Sequence, residues 1–448
     1  MDKRKKTWLE IVKGLNAVLM AIPFAVAWYA CYRDQAASLF YIKGNTLVVV
    51  IYLLLYVMFG RVYDAFSVSR NRISEMVYSQ GLAVLVADFF MYLILVLLIK
   101  RLANPLPLLA ALAAQVLLAT LWSCVAQKRY FALFSAQRTA IVYDTRTDLQ
   151  EQIQESWMSK KFDIQLNVDI DTCLENLDLL ADMETVFMSG IHSHDRNIIL
   201  KYCVGHDITT YVLPRIGDVL MSGAERINLL RLPMLRVDGY KPTTLYLFIK
   251  RVFDILVSSV ALVLLSPLFL ITAIAVKVYD GGPVFYHQKR LTKGGKVFDL
   301  IKFRSMRVDA ESDGVARLST GSADERITPV GRVIRQVRLD ELPQLLCILK
   351  GDMTICGPRP ERPEIAARYE ETLPEFRLRL QAKAGLTGYA QVFGKYNTTP
   401  YDKLQLDLMY LANPSVLEDL RIIFATVKIL FMEDSTEGVK QEMTESVK

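Results

Sequence analysis

The chain has 448 residues, enough for two or three domains with separate cores. Hydrophobic residues make up 52% of it and gather toward the N-terminus, which argues against an ordinary soluble protein. The formal net charge of +6 comes without any nucleic-acid module signature, so it points to membrane-surface and phosphate binding rather than to nucleic acid.

Four runs with at most one charge come first: 15–32, 46–60, 77–99 (which contains Asp88) and 102–126. Their length and polarity predict a four-helix transmembrane domain over 1–135. The first run has no small-x-small cleavage site and further spans follow it, so no cleaved signal peptide is expected. Lys and Arg in short loops set orientation. With the N-terminus inside, the inner side takes ten cations, namely Lys3, Arg4, Lys5, Lys6, Arg61, Arg70, Arg72, Lys128, Arg129 and Arg138. The outer loops then take four, Arg33, Lys43, Lys100 and Arg101. That bias favours an N-in topology that returns the chain to the cytoplasm near residue 127.

A soluble segment, 136–240, alternates strand-like runs at 139–143, 164–168, 186–188 and 208–213 with helical ones at 148–160 and 195–204. This alternation predicts a small α/β domain with a parallel sheet. Its first strand ends in YDTRTD, where a dinucleotide binder carries GxGxxG, so a structural or regulatory role is expected rather than a cofactor site. His192 and His194 form an HxH with no Cys/His cluster beside it; a solvated loop is expected, with a metal site as the alternative. The six cysteines form no CxxC pair, which fits a reduced compartment.

Residues 255–276 contain 22 positions without a charge, enough to cross a bilayer. Basic residues flank both ends, Lys250 and Arg251 before and Lys277, Lys289 and Arg290 after, so both ends read as cytoplasmic. Pro267 removes a helix hydrogen bond near the middle, and the Ser266 hydroxyl can take up a freed carbonyl. The expectation is a helix–break–helix over 250–278 that dips into the membrane and returns. A kinked full span is the alternative.

Two strand-like runs, 284–288 and 297–303, flank Gly294-Gly295 and predict a hairpin. Alternation places Lys302 and Arg304 on one face, a pairing suited to phosphate, although a solvated basic face has the same pattern. A helical pattern follows over 330–349 and carries Asp340-Glu341, with Arg335 and Arg338 upstream and Pro343 downstream. Consecutive acids on a helix are usually a solvated face, yet Pro343 sets this pair beside a helix irregularity. Nearby arginines favour the ionised carboxylate, and a carboxylate can attack phosphorus to give an acyl phosphate. In GDMTICGPRPERPE, Gly357, Pro358 and Pro360 fix a loop around Arg359, whose planar guanidinium suits bidentate phosphate contact.

The motifs KRVFDILVSSVALVLLSP, KFRSM, RLDELPQLL, KGDMTICGPRP and AGLTGYAQVFGKYN occur in that order between Lys250 and Asn397, and the resemblance they carry covers residues 246–434. In this the chain resembles the bacterial sugar transferase family, the monotopic-type polyprenyl-phosphate phosphoglycosyl transferases. With four spans and a degenerate Rossmann-like domain lacking GxGxxG ahead of it, the chain resembles the larger, polytopic members that initiate capsule, exopolysaccharide or O-antigen synthesis. The resemblance implies an α+β catalytic domain over 241–448 with a re-entrant membrane helix broken at Ser266-Pro267. It implies transfer of sugar-1-phosphate from a nucleotide diphosphate sugar, with a UDP-hexose as the family's usual donor, to undecaprenyl phosphate with release of UMP. Asp340 would be the nucleophile that forms a phosphosugar–enzyme intermediate, Glu341 would assist, and Lys302, Arg335 and Arg359 would be the phosphate-side cations. Mg2+ bridging the pyrophosphate and Asp340 is the implied cofactor. The site would face the cytoplasm at the inner membrane and its lipids.

Two departures from other members stand out, Tyr389 in place of a Trp and Phe393 in place of a small polar residue; both bear on donor preference rather than on reaction class. Helical patterns at 401–411 and 416–431 follow, the second amphipathic enough to lie on a membrane or to pack on the catalytic core, and a polar tail from 433 is expected to be disordered. A catalytically inactive membrane scaffold or regulator of polysaccharide assembly stays open as a second reading. A transporter built on the four spans with Asp88 as its carboxylate is a third. A homodimer through the membrane or middle domain is open as well.

Overall fold

The computed structural model describes residues 3–36, 42–308, 310, 324, 326–394 and 399–430. The chain divides into two compact units, Met1–Leu213 and Pro214–Lys448.

In the first unit, four helices are long and apolar enough to cross a membrane. They are α1 (Lys3–Ala27), which runs on through a wider turn at Trp28–Tyr32, α2 (Ile42–Val62), α3 (Ile73–Ile99) and α4 (Leu106–Leu133). The second exceeds its uncharged run at both ends, because Lys43 and Arg61 continue the helix beyond the apolar stretch. Polar side chains tie the bundle from inside. Asn16 on α1 donates to Gln80 on α3 (3.1 Å) and accepts from the Tyr56 hydroxyl on α2 (2.6 Å), while Gln80 donates to Ser123 on α4 (3.2 Å). Gln115 on α4 donates to the Tyr52 hydroxyl (2.6 Å) and to the Met20 carbonyl (2.8 Å). Such bonds fix helix rotation where lipid tails offer little discrimination between apolar faces. Asp88 is buried on α3, and neither of its carboxylate oxygens has a hydrogen-bond partner among the described residues.

Beyond α4 come β1 (Gln137–Tyr143), α5 (Leu149–Glu155), β2 (Phe162–Asp169), α6 (Ile170–Glu175), β3 (Thr185–Ser189), α7 (Ser193–Gly205) and β4 (Thr209–Val212). The strands form an all-parallel sheet in the order β2-β1-β3-β4, so β1 lies between β2 and β3. Ala140, Val142, Val186 and Met188 fill its core, as expected for strands covered by crossover helices. Gly190 ends β3 at φ +71, and a side chain there would strike Thr145 and the Arg146 backbone.

The second unit begins earlier than the 241 suggested by the sequence pattern. Its α8 (Ile216–Ser222) contributes Val219 to the core shared with Leu404 and Leu408. The hairpin β5 (Glu225–Leu229)–β6 (Leu232–Arg236) follows, and the Tyr240 amide donates to Gln381 (2.8 Å). Then come α9 (Thr244–Leu264) and α10 (Ser266–Asp280), which are bent by 64° at their junction. The Ser266 hydroxyl donates to the Val263 carbonyl (2.8 Å), the group four residues before Pro267 that the missing proline N–H leaves open.

The hairpin β7 (Phe285–Leu291)–β8 (Val297–Phe303) turns at Gly294 and Gly295, both at positive φ. The pattern at 330–349 is not one helix. It splits into α11 (Pro329–Gln336), a 3-10 turn at Leu339–Glu341 and α12 (Gln344–Lys350). Arg338, at φ 54, makes the break, a conformation rare outside glycine. The Leu339 carbonyl finds the Leu342 amide at 3.1 Å, so it is not left open by Pro343. Next come β9 (Met353–Cys356), α13 (Pro363–Thr372) and β10 (Ala384–Thr387), which pairs in parallel with β9. The short α14 (Tyr389–Val392), then α15 (Pro400–Ala412) and α16 (Val416–Leu430), complete the unit. Buried Ile422 of α16 joins the core formed by Phe298, Ile348, Ile355 and Phe376, so α16 packs on the unit. The polar tail from 433 lies outside the described residues.

Candidate active site

The break at Arg338 is what gives Asp340 and Glu341 different surroundings. On a regular helix, adjacent residues diverge by 100° and both acids would reach solvent. Here the 3-10 turn buries Asp340, which is 8% exposed, and aims Glu341 at the β8 strand and the loop after β9.

Glu341 gathers the cations. Its Oε1 takes Nζ of Lys302 at 3.3 Å and Nη2 of Arg359 at 2.9 Å, and Nη1 of Arg338 lies 4.0 Å from its Oε2. Burial opposes ionisation of Glu341, but Arg359, Lys302 and Arg338 together outweigh it and hold the carboxyl below the usual range. Asp340 takes the opposite course. Burial pushes its carboxyl up, Lys302 offsets this in part, and the neighbouring charge of Glu341 adds to the rise. No hydrogen bond or ion pair engages Asp340 among the described residues. The sequence suggested that nearby arginines keep a carboxylate ionised. They do so for Glu341, and Asp340 is left poised.

The loop around Arg359 is fixed by backbone. Gly357 N donates to Thr387 O (2.8 Å) and Gly385 N to Pro358 O (2.9 Å). A side chain at Gly357, Gly385 or Gly388 would strike the backbone of the facing segment. GPRP and AGLTG are therefore two halves of one close contact. Pro358 and Pro360 are buried, and the carbonyls beside them are gripped. Arg379 donates to Arg359 O (2.8 Å) and Arg290 to Pro360 O (2.9 Å). Arg379 is itself paired with Asp407 at 2.6 Å, and it lies 3.6 Å from Glu361. Sequence reasoning missed Arg290, Glu361, Arg379 and Asp407 as supports. Only the charge flank at Arg290 hinted at one of them.

Lys302, Arg359, Glu341 and Asp340 thus converge, and Arg335, in the last turn of α11, acts electrostatically on Asp340. Arg304 does not join them. The strand ends at Phe303, and Arg304 turns to Asp280, binding both its oxygens, and to the Pro283 carbonyl (2.7 Å). There it locks the end of α10 to the end of β8. Ser266 and Pro267 stand apart at the α9–α10 bend. His192 comes within 4.0 Å of Asp144, and among the described residues no three His, Cys, Asp or Glu side chains form a metal cluster. An open cleft of about 640 Å3 borders Lys293, Gly294, Gly295 and Arg377, and Asp340 does not line it.

A buried carboxylate with no hydrogen bond or ion pair among the described residues, beside a second one that holds three cations, suits attack on a phosphate centre. Mg2+ is usually bound through one or two carboxylates together with substrate phosphates, and Asp340 fits that donor set.

The bacterial sugar transferase family profile matches residues 245–433. The UDP-N-acetylgalactosamine-undecaprenyl-phosphate N-acetylgalactosaminephosphotransferase of Aeromonas hydrophila is 36% identical over 234 residues, 52% of this chain and 54% of the relative. The UDP-glucose:undecaprenyl-phosphate glucose-1-phosphate transferase of Caulobacter vibrioides is 36% identical over 206 residues, 45% of this chain and 76% of the relative. The exopolysaccharide production protein PSS of Rhizobium leguminosarum bv. phaseoli is 40% identical over 190 residues, 40% of this chain and 94% of the relative. The chain thus spans about half the length of the Aeromonas relative.

Proposed function

This chain belongs to the bacterial sugar transferase family, and from that premise we propose that it transfers sugar-1-phosphate from a nucleotide diphosphate sugar to undecaprenyl phosphate. The observation that carries the reading is the buried Asp340, without a hydrogen bond or ion pair among the described residues, beside Glu341, Lys302 and Arg359. The relatives' names make UDP-hexoses and UDP-N-acetylhexosamines the first donors to test.

The chemistry takes two displacements at one phosphorus. The Asp340 carboxylate attacks the sugar-bearing phosphate; an oxygen–phosphorus bond forms, and the bond to the bridging oxygen breaks. That oxygen leaves on the nucleoside monophosphate, and the enzyme holds an acyl phosphosugar. A phosphate oxygen of undecaprenyl phosphate then attacks the same phosphorus, the Asp340–phosphorus bond breaks, and the carboxylate returns. Lys302 and Arg359 offset charge on the phosphate oxygens, and Glu341 keeps both cations in place. Mg2+, held by Asp340 and the donor's pyrophosphate, would supply a further divalent charge there.

The donor is water-soluble and the acceptor is a lipid, so the site belongs at a membrane face. The 64° bend and the Ser266–Val263 bond support a re-entrant α9–α10 pair. The cation bias of the loops supports an inner-membrane protein with its catalytic unit on the cytoplasmic side. The parallel sheet of 137–212 supports a degenerate Rossmann-like domain of regulatory or structural role. Incubating the purified chain with a panel of nucleotide sugars and undecaprenyl phosphate tests the proposal. Nucleoside monophosphate release with a lipid-diphosphate sugar product supports it, and no release from any donor sinks it.

A further inference from the structure

Lys250 and Arg251 read in the sequence as cations flanking a membrane segment, and Asp254 as the residue where its apolar run begins. All three instead point into the catalytic unit from one face of α9, where spacings of three and four residues bring side chains together. Arg251 donates from Nη1 to the Ile348 carbonyl and from Nη2 to the Leu349 carbonyl, both at 2.7 Å. These belong to the last turn of α12, where the Ile348 carbonyl also takes the Gly351 amide at 3.0 Å and the regular i+4 partners run out. Asp254, 4% exposed, accepts from Thr354 Oγ1 at 2.8 Å and from the Ile355 amide at 2.9 Å, so both its oxygens hold β9. Lys250 pairs with Asp419 of α16 at 2.7 Å.

The two elements held by Arg251 and Asp254 are the ones that carry the two halves of the cluster. Asp340 and Glu341 stand just before α12, and β9 leads directly into Gly357 and Arg359. The outward side of the same helix is apolar, with Phe248, Val252, Leu256 and Val260 exposed.

We propose that Arg251 and Asp254 are positioning residues for the transfer reaction: one turn of the membrane helix sets the spacing between the Asp340–Glu341 turn and the Arg359 loop. The proposal rests on the transferase reading. Displacements of about 1 Å in such a constellation cost on the order of a hundredfold in rate. Lys250 reaches the second half indirectly, because the Asp419 and Tyr410 that it binds both contact Cys356 at the end of β9, whereas Val219 lies on α8, whose packing partner is α15.

The test uses the full chain in lipid nanodiscs, with Asp254→Leu, Asp254→Asn, Arg251→Met and, as a destabilising control on α8, Val219→Ala. Asp254→Leu and Arg251→Met should lower kcat by about tenfold or more while the donor KM moves by less than about twofold. Asp254→Asn, which keeps an acceptor for the Ile355 amide, should recover to within about threefold of the parent. Val219→Ala should lower thermal stability and leave kcat near the parent value. Independently of turnover, amide exchange across 353–360 should quicken in Asp254→Leu and stay at the parent rate in Val219→Ala. Parent-like exchange in Asp254→Leu, or equal kcat losses in Val219→Ala and Asp254→Leu, would overturn the proposal. A parent chain that releases no nucleoside monophosphate sinks the transferase reading instead, and the exchange measurement still decides the positioning.

Discussion

Nη2 of Arg359 lies 2.9 Å from Oε1 of Glu341, the same oxygen that receives Lys302 at 3.3 Å. One carboxylate oxygen therefore organises cations from a strand and from a loop, and Asp340 beside it has no hydrogen bond or ion pair among the described residues. Replacing Glu341 with Gln keeps the shape and removes the charge. Transferase activity should fall by about 10²–10³-fold, the scale of losing an electrostatic stabiliser. A decline below about threefold in initial-rate assays would argue that Lys302 and Arg359 need no organiser.

Asp340→Asn separates chemistry from folding. Asp340 makes no hydrogen bond or ion pair among the described residues, and burial already disfavours its charged form, so the neutral, isosteric amide should fold with little change in stability. After incubation with donor alone, the parent should gain the mass of a sugar phosphate, and the Asn variant should gain none and turn over nothing. Activity near the parent level would remove Asp340 as the nucleophile.

Glu361 makes the Arg359 loop sensitive to acid. Its carboxylate lies 3.6 Å from Arg379 and 3.8 Å from both Lys403 and Arg290. Burial opposes its ionisation, but these cations outweigh burial and hold the carboxyl below its ordinary value of 4.5. A lowered carboxyl binds fewer protons folded than unfolded. Its stabilisation is therefore complete above the unfolded value and is lost as pH falls through the folded one. The unfolding midpoint should hold level down to about pH 5 and decline below it. Glu361→Gln should flatten that acid limb and start about 3–5 kcal/mol lower, because it leaves buried cations unpaired. An acid limb as steep as the parent's would exclude Glu361 as its source.

Gly385→Ala places a methyl group against the Gly357 backbone. Neither strand end can yield, since the Gly385 and Gly357 amides are both bonded across the contact. Denaturant unfolding should show a loss of about 2–3 kcal/mol, typical of overpacking, together with a loss of activity. Gly217→Ala, inside α8 with nothing within 4 Å, serves as the control and should keep activity with stability unchanged or raised by up to about 1 kcal/mol.

The α9–α10 bend can be read from the membrane's two sides. Cysteines placed beside Arg251 and Lys293, in a background lacking the exposed Cys31 and Cys124, should both label from the cytoplasmic face. Labelling from opposite faces would make the segment a full crossing. Pro267→Ala should straighten the junction and shift the Lys293 site toward the other side.

Much of this architecture is legible from pattern alone, since membrane helices, alternating strands and a Gly-Gly hairpin follow from periodicity and length. The four strands expected over 136–240 lie within two residues of β1 to β4 at every end. What pattern could not supply was conformation at single residues. The 330–349 segment has a helical period throughout, yet a left-handed Arg338 breaks it, and nothing in the side chain of an arginine announces that. Arg304 shares a nominal face with Lys302, but the strand ends one residue earlier and Asp280 captures it. The supports at Arg290, Arg379 and Asp407 are contacts between residues far apart in sequence, so no local motif carries them. The glycines of GPRP and AGLTG make sense only once the two segments are seen to touch.

The hydrogen bonds inside the four-helix bundle also have a bearing on how the protein is made. The Met20 carbonyl and the Tyr52 hydroxyl wait for Gln115, which lies 95 and 63 residues further along the chain. At about 5–20 residues per second of synthesis, those groups spend roughly 3 to 19 seconds without their partner. The polar interior of the bundle is therefore completed only by its last member, and a chain truncated after the third helix lacks the donor that joins α1 to α2 at this level.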